Sequence, residues 1–282
     1  MRIALVTCAN LPEPDPDREL LMEALRNAKL QVEWLAWDDP NTDPGGFDLC
    51  VLRSCWNYYE NPRVFLDWIE TTARVSRLLN PPQVVRWNLH KGYLRELDAR
   101  GVPIIPTAWV SKGTQSPLEK IVEENGWTDV VIKPAVSAGS FQTRRFSADQ
   151  LRVGQTFLDE LSRERDVMIQ QYMTSIENEG ERALIWIAGR WTHAIRKSPR
   201  FSGGDEQVSE ASEVSAKEQT FAERVLTDIK AELLYARLDV IRAADGRLCL
   251  SELELIEPSL FFLQHPPALK HFVRAVAQPR CG

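Results

Sequence analysis

The chain has 282 residues, 44% of them hydrophobic and 26% charged, with a formal net charge of −6. That is enough apolar sequence for one large core or two to three smaller lobes, and the acidic balance excludes the basic surface by which proteins hold nucleic acid. The start MRIALVTCAN is only briefly apolar before LPEPDPDREL turns acidic and proline-rich, too short for a signal h-region, and no later stretch reaches the roughly 18 uncharged apolar residues of a membrane span, so the reading is of a cytoplasmic protein.

The first elements alternate strand and helix. RIALVT (2–7) predicts a strand, DPDRELLMEALRNA (15–28) a helix opened by acidic capping residues, and QVEWLAW (31–37) and FDLCVLR (47–53) two further strands. Asn61 and Pro62 supply a cap and a first-turn proline. Val64, Phe65, Trp68, Ile69 and Val75 then form the apolar stripe of a helix reaching about residue 79. This alternation predicts a small parallel α/β domain over residues 1–85.

A second unit is expected over residues 86–170. It holds a helix at 88–101, with Asn88 as cap and Gly101 as stop, the strand VPIIPTAWV, and the helix SPLEKIVEEN. The strand DVVIKPAV (129–136), the loop SAGSFQT (137–143), a helix around 148–163 and the strand VMIQQYM (167–173) follow. The remainder, 171–282, reads as a third unit: the hairpin ERALIWIAG/RWTHAIRKS, a long helix over 217–236, and a second hairpin turning at Asp245–Gly246. The polar segment 197–215 reads as a mobile loop. Cys8, Cys50, Cys55, Cys249 and Cys281 are odd in number and form no CxxC pair, which argues for reduced thiols over a disulfide frame or zinc site.

Charges inside apolar strands carry the chemistry. Lys133 stands within VVIKPAV; it either snorkels to water or meets an anion, because unpaired burial is costly. The loop behind it, with Ser137, Gly139 and Ser140, is small and hydroxyl-rich and suits phosphate oxygens. Neither a Walker A sequence nor GxGxxG is present. Lys91, Arg182 and Arg196 extend the basic set, though each taken singly also reads as a solvated cation. Near the C-terminus, SELELIEP interrupts an apolar strand with Glu252, Glu254 and Glu257. Hairpin pairing can bring Asp239 opposite Glu252 and Glu254, and carboxylates so placed repel unless a divalent cation such as Mg²⁺ binds them. On that stretch alone, an edge strand with one wet face explains the acids equally well.

Taken in order, these segments resemble the ATP-grasp superfamily over about residues 80–262, and within it the prokaryotic glutathione synthetase-like ligases. The segments RSCWNYYENP, KPAVSAGS and LELIEPSLF resemble the branch containing the O-ureidoserine cyclo-ligase of cycloserine biosynthesis. The resemblance implies an α/β ATP-grasp fold, a small parallel α/β domain followed by two lobes that clamp ATP. It assigns ATP to Lys91, Lys133, Ser137, Gly139 and Ser140, with adenine held at the hinge Gln171, Tyr172 and Met173. Gln171 stands where the usual hinge glutamate would be, so the resemblance leaves the ribose to Glu177 or Glu179, with Glu179 expected. Mg²⁺ falls to Asp239, Glu252 and Glu254, and catalytic charge stabilisation to Arg196 and Arg182, ahead of a glycine loop at 199–204. Arg53, at the end of an N-terminal strand, suits a substrate carboxylate, with Glu257 and Ser259 on the same ligand and Trp56 and Tyr58 as walls. His193 reads as a packed strand histidine in preference to a general base.

The implied activity is that of an ADP-forming ligase using ATP and Mg²⁺. A small amino-acid-like carboxylate becomes an acylphosphate for attack by an amine or similar nucleophile, in the same molecule or another. A phosphotransferase, or a nucleotide-binding protein without catalysis, are the alternatives. No nucleic-acid or membrane partner is expected, and a homo-oligomer is left open.

Overall fold

The computed structural model describes residues 1–198 and 207–278. The anticipated glycine loop and Cys281 lie outside the described residues. Three four-stranded sheets organise the chain. The first is parallel, in the order β2-β1-β3-β4, built from β1 (Arg2–Thr7), β2 (Gln31–Ala36), β3 (Leu49–Ser54) and β4 (Arg77–Leu79). α1 (Arg18–Asn27) and α2 (Pro62–Val75) cover it. β1 and β3 are buried on both faces, as their near-continuous apolar sequences demand of central parallel strands. The helix expected to run to residue 79 stops at Val75, because Ser76 is extended and Leu78 and Leu79 pair with Cys50 and Val51 as a fourth strand.

The second sheet, β5-β8-β6-β7, is antiparallel throughout. Its strands are β5 (Thr107–Val110), β6 (Val130–Pro134), β7 (Arg144–Phe146) and β8 (Val167–Gln171), packed against α5 (Leu118–Asn125) and α6 (Leu151–Glu164). The third sheet, β10-β9-β11-β12, holds β9 (Glu181–Ile187), β10 (Arg190–Lys197), β11 (Tyr235–Arg242) and β12 (Leu248–Glu254). α7 (Ser175–Glu179) links the second sheet to it, and α8 (Ala216–Leu226) opens on a Ser215–Glu218 capping box. α8 is shorter than the helix expected over 217–236, because the chain turns after Leu226 to bury Leu233 and Leu234. α9 (Pro266–Ala277), opened by His265 and two prolines, was not anticipated; it closes the core between α1 and the third sheet. The four described cysteines are free and buried.

The single helix expected at 88–101 is two, α3 (Pro82–Asn88) and α4 (Tyr93–Ala99), and Asn88 ends the first instead of capping a helix. Its side chain has another task. β12 is an edge strand, and its outer main-chain groups find partners in the segment 88–105. The Asn88 amide donates to the Leu253 carbonyl (2.8 Å) and accepts from the Leu255 N–H (2.9 Å), while the Tyr93 hydroxyl bonds both main-chain groups of Leu253 (3.0 Å each). Leu250 pairs in turn with Pro103 and Ile105. The acids of this strand face a cavity instead of the open surface.

The two faces of the third sheet differ. Leu184, Trp186, Ala194, Leu238 and Leu253 meet α4 and α8. On the other face Ala183, Ile185, Ile195 and Tyr235 meet the N-terminal unit and α9. Residues 207–212, read from sequence as mobile, run antiparallel along β10, with Ala194 and Ser212 exchanging main-chain hydrogen bonds of 2.8 and 2.9 Å.

Candidate active site

A cavity of about 820 Å³ lies where the three sheets meet. Its apolar part is formed by Ile105, Val131 and Ile241 beside the strand end Gln171–Met173. The amides of Gln171 and Tyr172 already donate to the carbonyls of Pro106 and Asp129 (2.9 Å each), which fixes the hinge and occupies two of its donors. The loop from Ser137 to Phe141 forms another wall, with Gly139 and Ser140 in the left-handed region (φ 57° and 60°). Trp56 and Tyr59 close the side facing the N-terminal unit, near Glu257 and Ser259.

Between these walls the apolar pattern of the third sheet gives way to charge. Asp239 sits opposite Glu252 in register, and Arg237 opposite Glu254. Acids and bases interleave there. Lys197 Nζ lies 2.7 Å from Asp239 and 2.9 Å from Glu181. Arg237 bridges Asp239 (2.9 Å) and Glu254, and Lys91 Nζ lies 3.0 Å from Glu252 and 2.7 Å from the Ser137 carbonyl. Burial alone would raise the Asp239 carboxyl, but Arg237 and Lys197 outweigh it and hold it below the ordinary range. Glu252 is held down in the same way, with Lys91 and Lys133 outweighing burial. Burial wins at Glu254, with help from Asp239 and Glu252, and lifts it to about 7. Glu257, buried and next to the Glu254 charge, is pushed well above the carboxylate range, and burial lowers the Lys133 ammonium.

Most residues singled out from sequence converge here. Lys133 and Ser137–Ser140 face the cavity, as do the hinge residues, the acids Asp239, Glu252 and Glu254, and Glu257 and Ser259. Lys91 stands just behind the wall, 4% exposed, tied to Glu252. Others lie elsewhere. Arg182 and Arg196 pair with each other in register on the opposite face of the sheet. There Arg182 holds Glu218 (2.9 Å) at the start of α8, and the exposed Arg196 reaches the Asn178 carbonyl (3.4 Å). Side-chain alternation is the cause: the pocket-facing cation of β10 is Lys197, one residue along. Arg53 is 2% exposed and off the cavity wall, its guanidinium over the rings of Tyr235 and Phe262 (5.7 and 5.9 Å). Glu179 pairs with Arg242 (3.3 Å) and Glu177 with Arg145 (2.9 Å) on the surface; the acid of this segment that lines the cavity is Glu181. His193 is buried, stacked 4.6 Å from His265, and lowered to about 4 by burial and that neighbour, as suits a packed histidine.

Lys197, Arg237 and Glu181 were therefore missed. Arg237 was within reach of the sequence, since it stands two residues before Asp239 and shares its face. For magnesium, the carboxylate oxygens of Asp239, Glu252 and Glu254 are the right donors beside a cavity with cations for phosphate. Among the described residues no three acidic, histidine or cysteine side chains converge on one point, because each acid is held by a cation of the same cluster. The set fits the ion in donor chemistry, with Lys197 and Arg237 paired to its acids.

Residues 3–80 match the family model described as the N-terminal domain of the D-cycloserine synthetase DcsG. The chain is 30% identical over 292 aligned residues to the cycloserine biosynthesis protein DcsG of Streptomyces lavendulae, spanning 98% of both chains. The crystal structure of D-cycloserine synthetase DcsG superposes with a TM-score of 0.90 at 29% identity, covering 98% of this chain and 99% of that one. The fold is shared more distantly with the ATP-grasp ligase PsnB, solved with a precursor variant, Mg and ADP (TM-score 0.64, 16% identity, 97% and 98% covered). Over its whole length, the chain belongs to the ATP-grasp carboxylate–amine ligases, in the branch of the cycloserine synthetase DcsG.

Proposed function

We propose that this ligase closes a small ring: it activates the carboxylate of an amino-acid-like substrate as an acylphosphate, which a nitrogen of the same molecule then attacks. The likeness to DcsG supports the cyclising form. The observation that carries the reading is the cavity wall on which Lys133, Lys197 and Arg237 alternate with Asp239, Glu252 and Glu254.

In the first step a carboxylate oxygen bonds to the γ-phosphorus and the bond to ADP breaks. Two anions must meet, and Lys133, Lys197 and Arg237 lower that barrier by placing fixed positive charge where negative charge gathers. Asp239, Glu252 and Glu254 would hold Mg²⁺, which when bound neutralises the polyphosphate and aligns it. In the second step nitrogen bonds to the carbonyl carbon, the carbon–oxygen bond to phosphate breaks, and inorganic phosphate and a proton leave. Ser137–Ser140 cover the phosphates, and Gln171–Met173 with Ile105 and Ile241 receive the adenine, between lobes 86–170 and 171–282. Glu181, which faces the cavity close to the hinge, takes the ribose in place of Glu179. Trp56, Tyr59, Glu257 and Ser259 wall the substrate end.

ADP release measured across a panel of amino acids and their O- and N-substituted derivatives, with ATP and Mg²⁺, tests this. A product lighter than its substrate by the elements of water marks ring closure. Phosphorus NMR showing phosphate retained on the product would instead support a phosphotransferase.

A further inference from the structure

The loop that faces the phosphates does not stand alone. Its opening carbonyl, that of Ser137, accepts from Lys91 Nζ (2.7 Å) and from the Tyr58 hydroxyl (3.3 Å). Val136 and Ala138 pack on the core of the N-terminal unit. Three residues on, the Phe141 ring stacks on Tyr59 with centroids 4.2 Å apart and planes at 27°. Arg165, at the end of α6, lies 5.2 Å from the Phe141 centroid and donates to the Tyr59 carbonyl (3.5 Å). Phe141 is thus held by a residue of the N-terminal unit and by one of the second sheet's own helices.

Between these anchors the backbone is held in shapes that L-residues avoid. Gly139, Ser140 and Gln142 have φ of 57°, 60° and 48°. Left-handed conformations at non-glycine residues persist only where the surroundings over-determine them. Within the loop, main-chain bonds from Phe141 to Ala138 (3.0 Å) and from Thr143 to Ser140 (3.1 Å) close two turns, but nothing in them fixes where the loop sits over the cavity. The contacts at Tyr58 and Tyr59 do.

We propose that Tyr59 is a positioning residue for the nucleotide: by stacking on Phe141 it docks the phosphate-side loop against the N-terminal unit, so that nucleotide affinity depends on a residue of the substrate wall. This rests on the nucleotide reading of the cavity above. It also couples the two ligands, since Tyr59 and Trp56 border the substrate end while Phe141 borders the loop. A substrate seated against Tyr59 would favour the docked loop, and the docked loop would favour the nucleotide.

The test compares Tyr59→Ala, Tyr59→Leu, Tyr59→Phe, Phe141→Ala and the Tyr59→Ala/Phe141→Ala double variant of the full chain. Calorimetry gives the Kd of Mg–ADP, steady-state kinetics the KM for ATP and kcat, and thermal melting a check on the fold. Loss of the stack is expected to raise both the Kd and the KM about three- to ten-fold, the range a stacked aromatic pair supports. The double variant should bind nucleotide no worse than either single one, and Tyr59→Phe, which keeps the ring, should hold the Kd of Mg–ADP within two-fold of the parent. Tyr59→Leu, which keeps bulk without the ring, reads the same effect if the alanine variant melts early. Unchanged nucleotide affinity in Tyr59→Leu, or effects that multiply in the double variant, would overturn the proposal. If the parent protein itself bound neither Mg–ATP nor Mg–ADP, the nucleotide reading would fall first and the latch with it.

Discussion

Lys197 Nζ lies 2.7 Å from Asp239 Oδ2, and both side chains are under a tenth exposed. Removing one partner of a buried pair leaves the other charge undercompensated, at a cost of about 3 kcal/mol. Lys197→Met should therefore lower unfolding free energy by about that much, even though Arg237 still holds Asp239. Urea denaturation at neutral pH measures it, and a variant as stable as the parent would show that the pair contributes nothing to the fold.

Arg237 faces the cavity and Arg196 does not. Arg237→Met should reduce kcat by roughly 100-fold, the loss typical of one electrostatic stabiliser of a transition state. Arg196→Met should stay within a few-fold. Kinetics of the two variants side by side decide the assignment; the reverse order would return the role to the residue first chosen from sequence.

Asn88 satisfies two main-chain groups of an edge strand that carries Glu252 and Glu254. Asn88→Ala leaves the buried Leu255 N–H unpaired and the Leu253 carbonyl with Tyr93 as its remaining side-chain donor, and should cost about 2 kcal/mol. It should also raise the Mg²⁺ concentration needed for half-maximal turnover, because the acids ride on the strand it holds. Melting curves and a magnesium titration test the two effects separately, and Asn88→Asp, which keeps one acceptor, should fall between.

His193 titrates near 6.5 when unfolded and at about 4 in the fold, where burial and His265 oppose its charge. Between those values the unfolded chain binds the extra proton, so acidification through 6.5 destabilises the fold, and below 4 this contribution stops growing. The full effect is about 3 kcal/mol, of which about 1 kcal/mol is lost by pH 5.5. Against a His193→Phe variant, the parent should lose that additional amount between pH 7.5 and 5.5 in urea titrations. Equal losses in both proteins would contradict a neutral buried histidine.

Much of the fold was legible before any coordinates. Three strands of the first sheet, β1, β2 and β3, stand within two residues of their expected limits, and for the central β1 and β3 the reason is that buried parallel strands are written as near-continuous apolar runs. Both hairpins of the third sheet were legible too, from turn residues flanked by alternation. Short elements were not: β4 and β7 have three residues each, too few to show a period, and α9 follows a proline-rich stretch that reads as loop. Asn88 was misread because an asparagine before a helical pattern signals a cap, while its real partners are 165 and 167 residues away.

Residue type and order by themselves thus determined an α/β chain with lysines and acids at set places along the sequence, and the ligase reading came from the family those segments resemble. Facing was decided by the tertiary structure. A one-residue step along β10 exchanges the two sides of a sheet, so whether Arg196 or Lys197 meets Asp239 depends on register, which pairing and packing settle. Whether the acids repel or are neutralised depends likewise on distances across strands far apart in sequence. Lys197 and Arg237 reach Asp239 and Glu254 only once the strands of the third sheet have paired, and Lys91 reaches Glu252 only when the turn between α3 and α4 packs against that sheet.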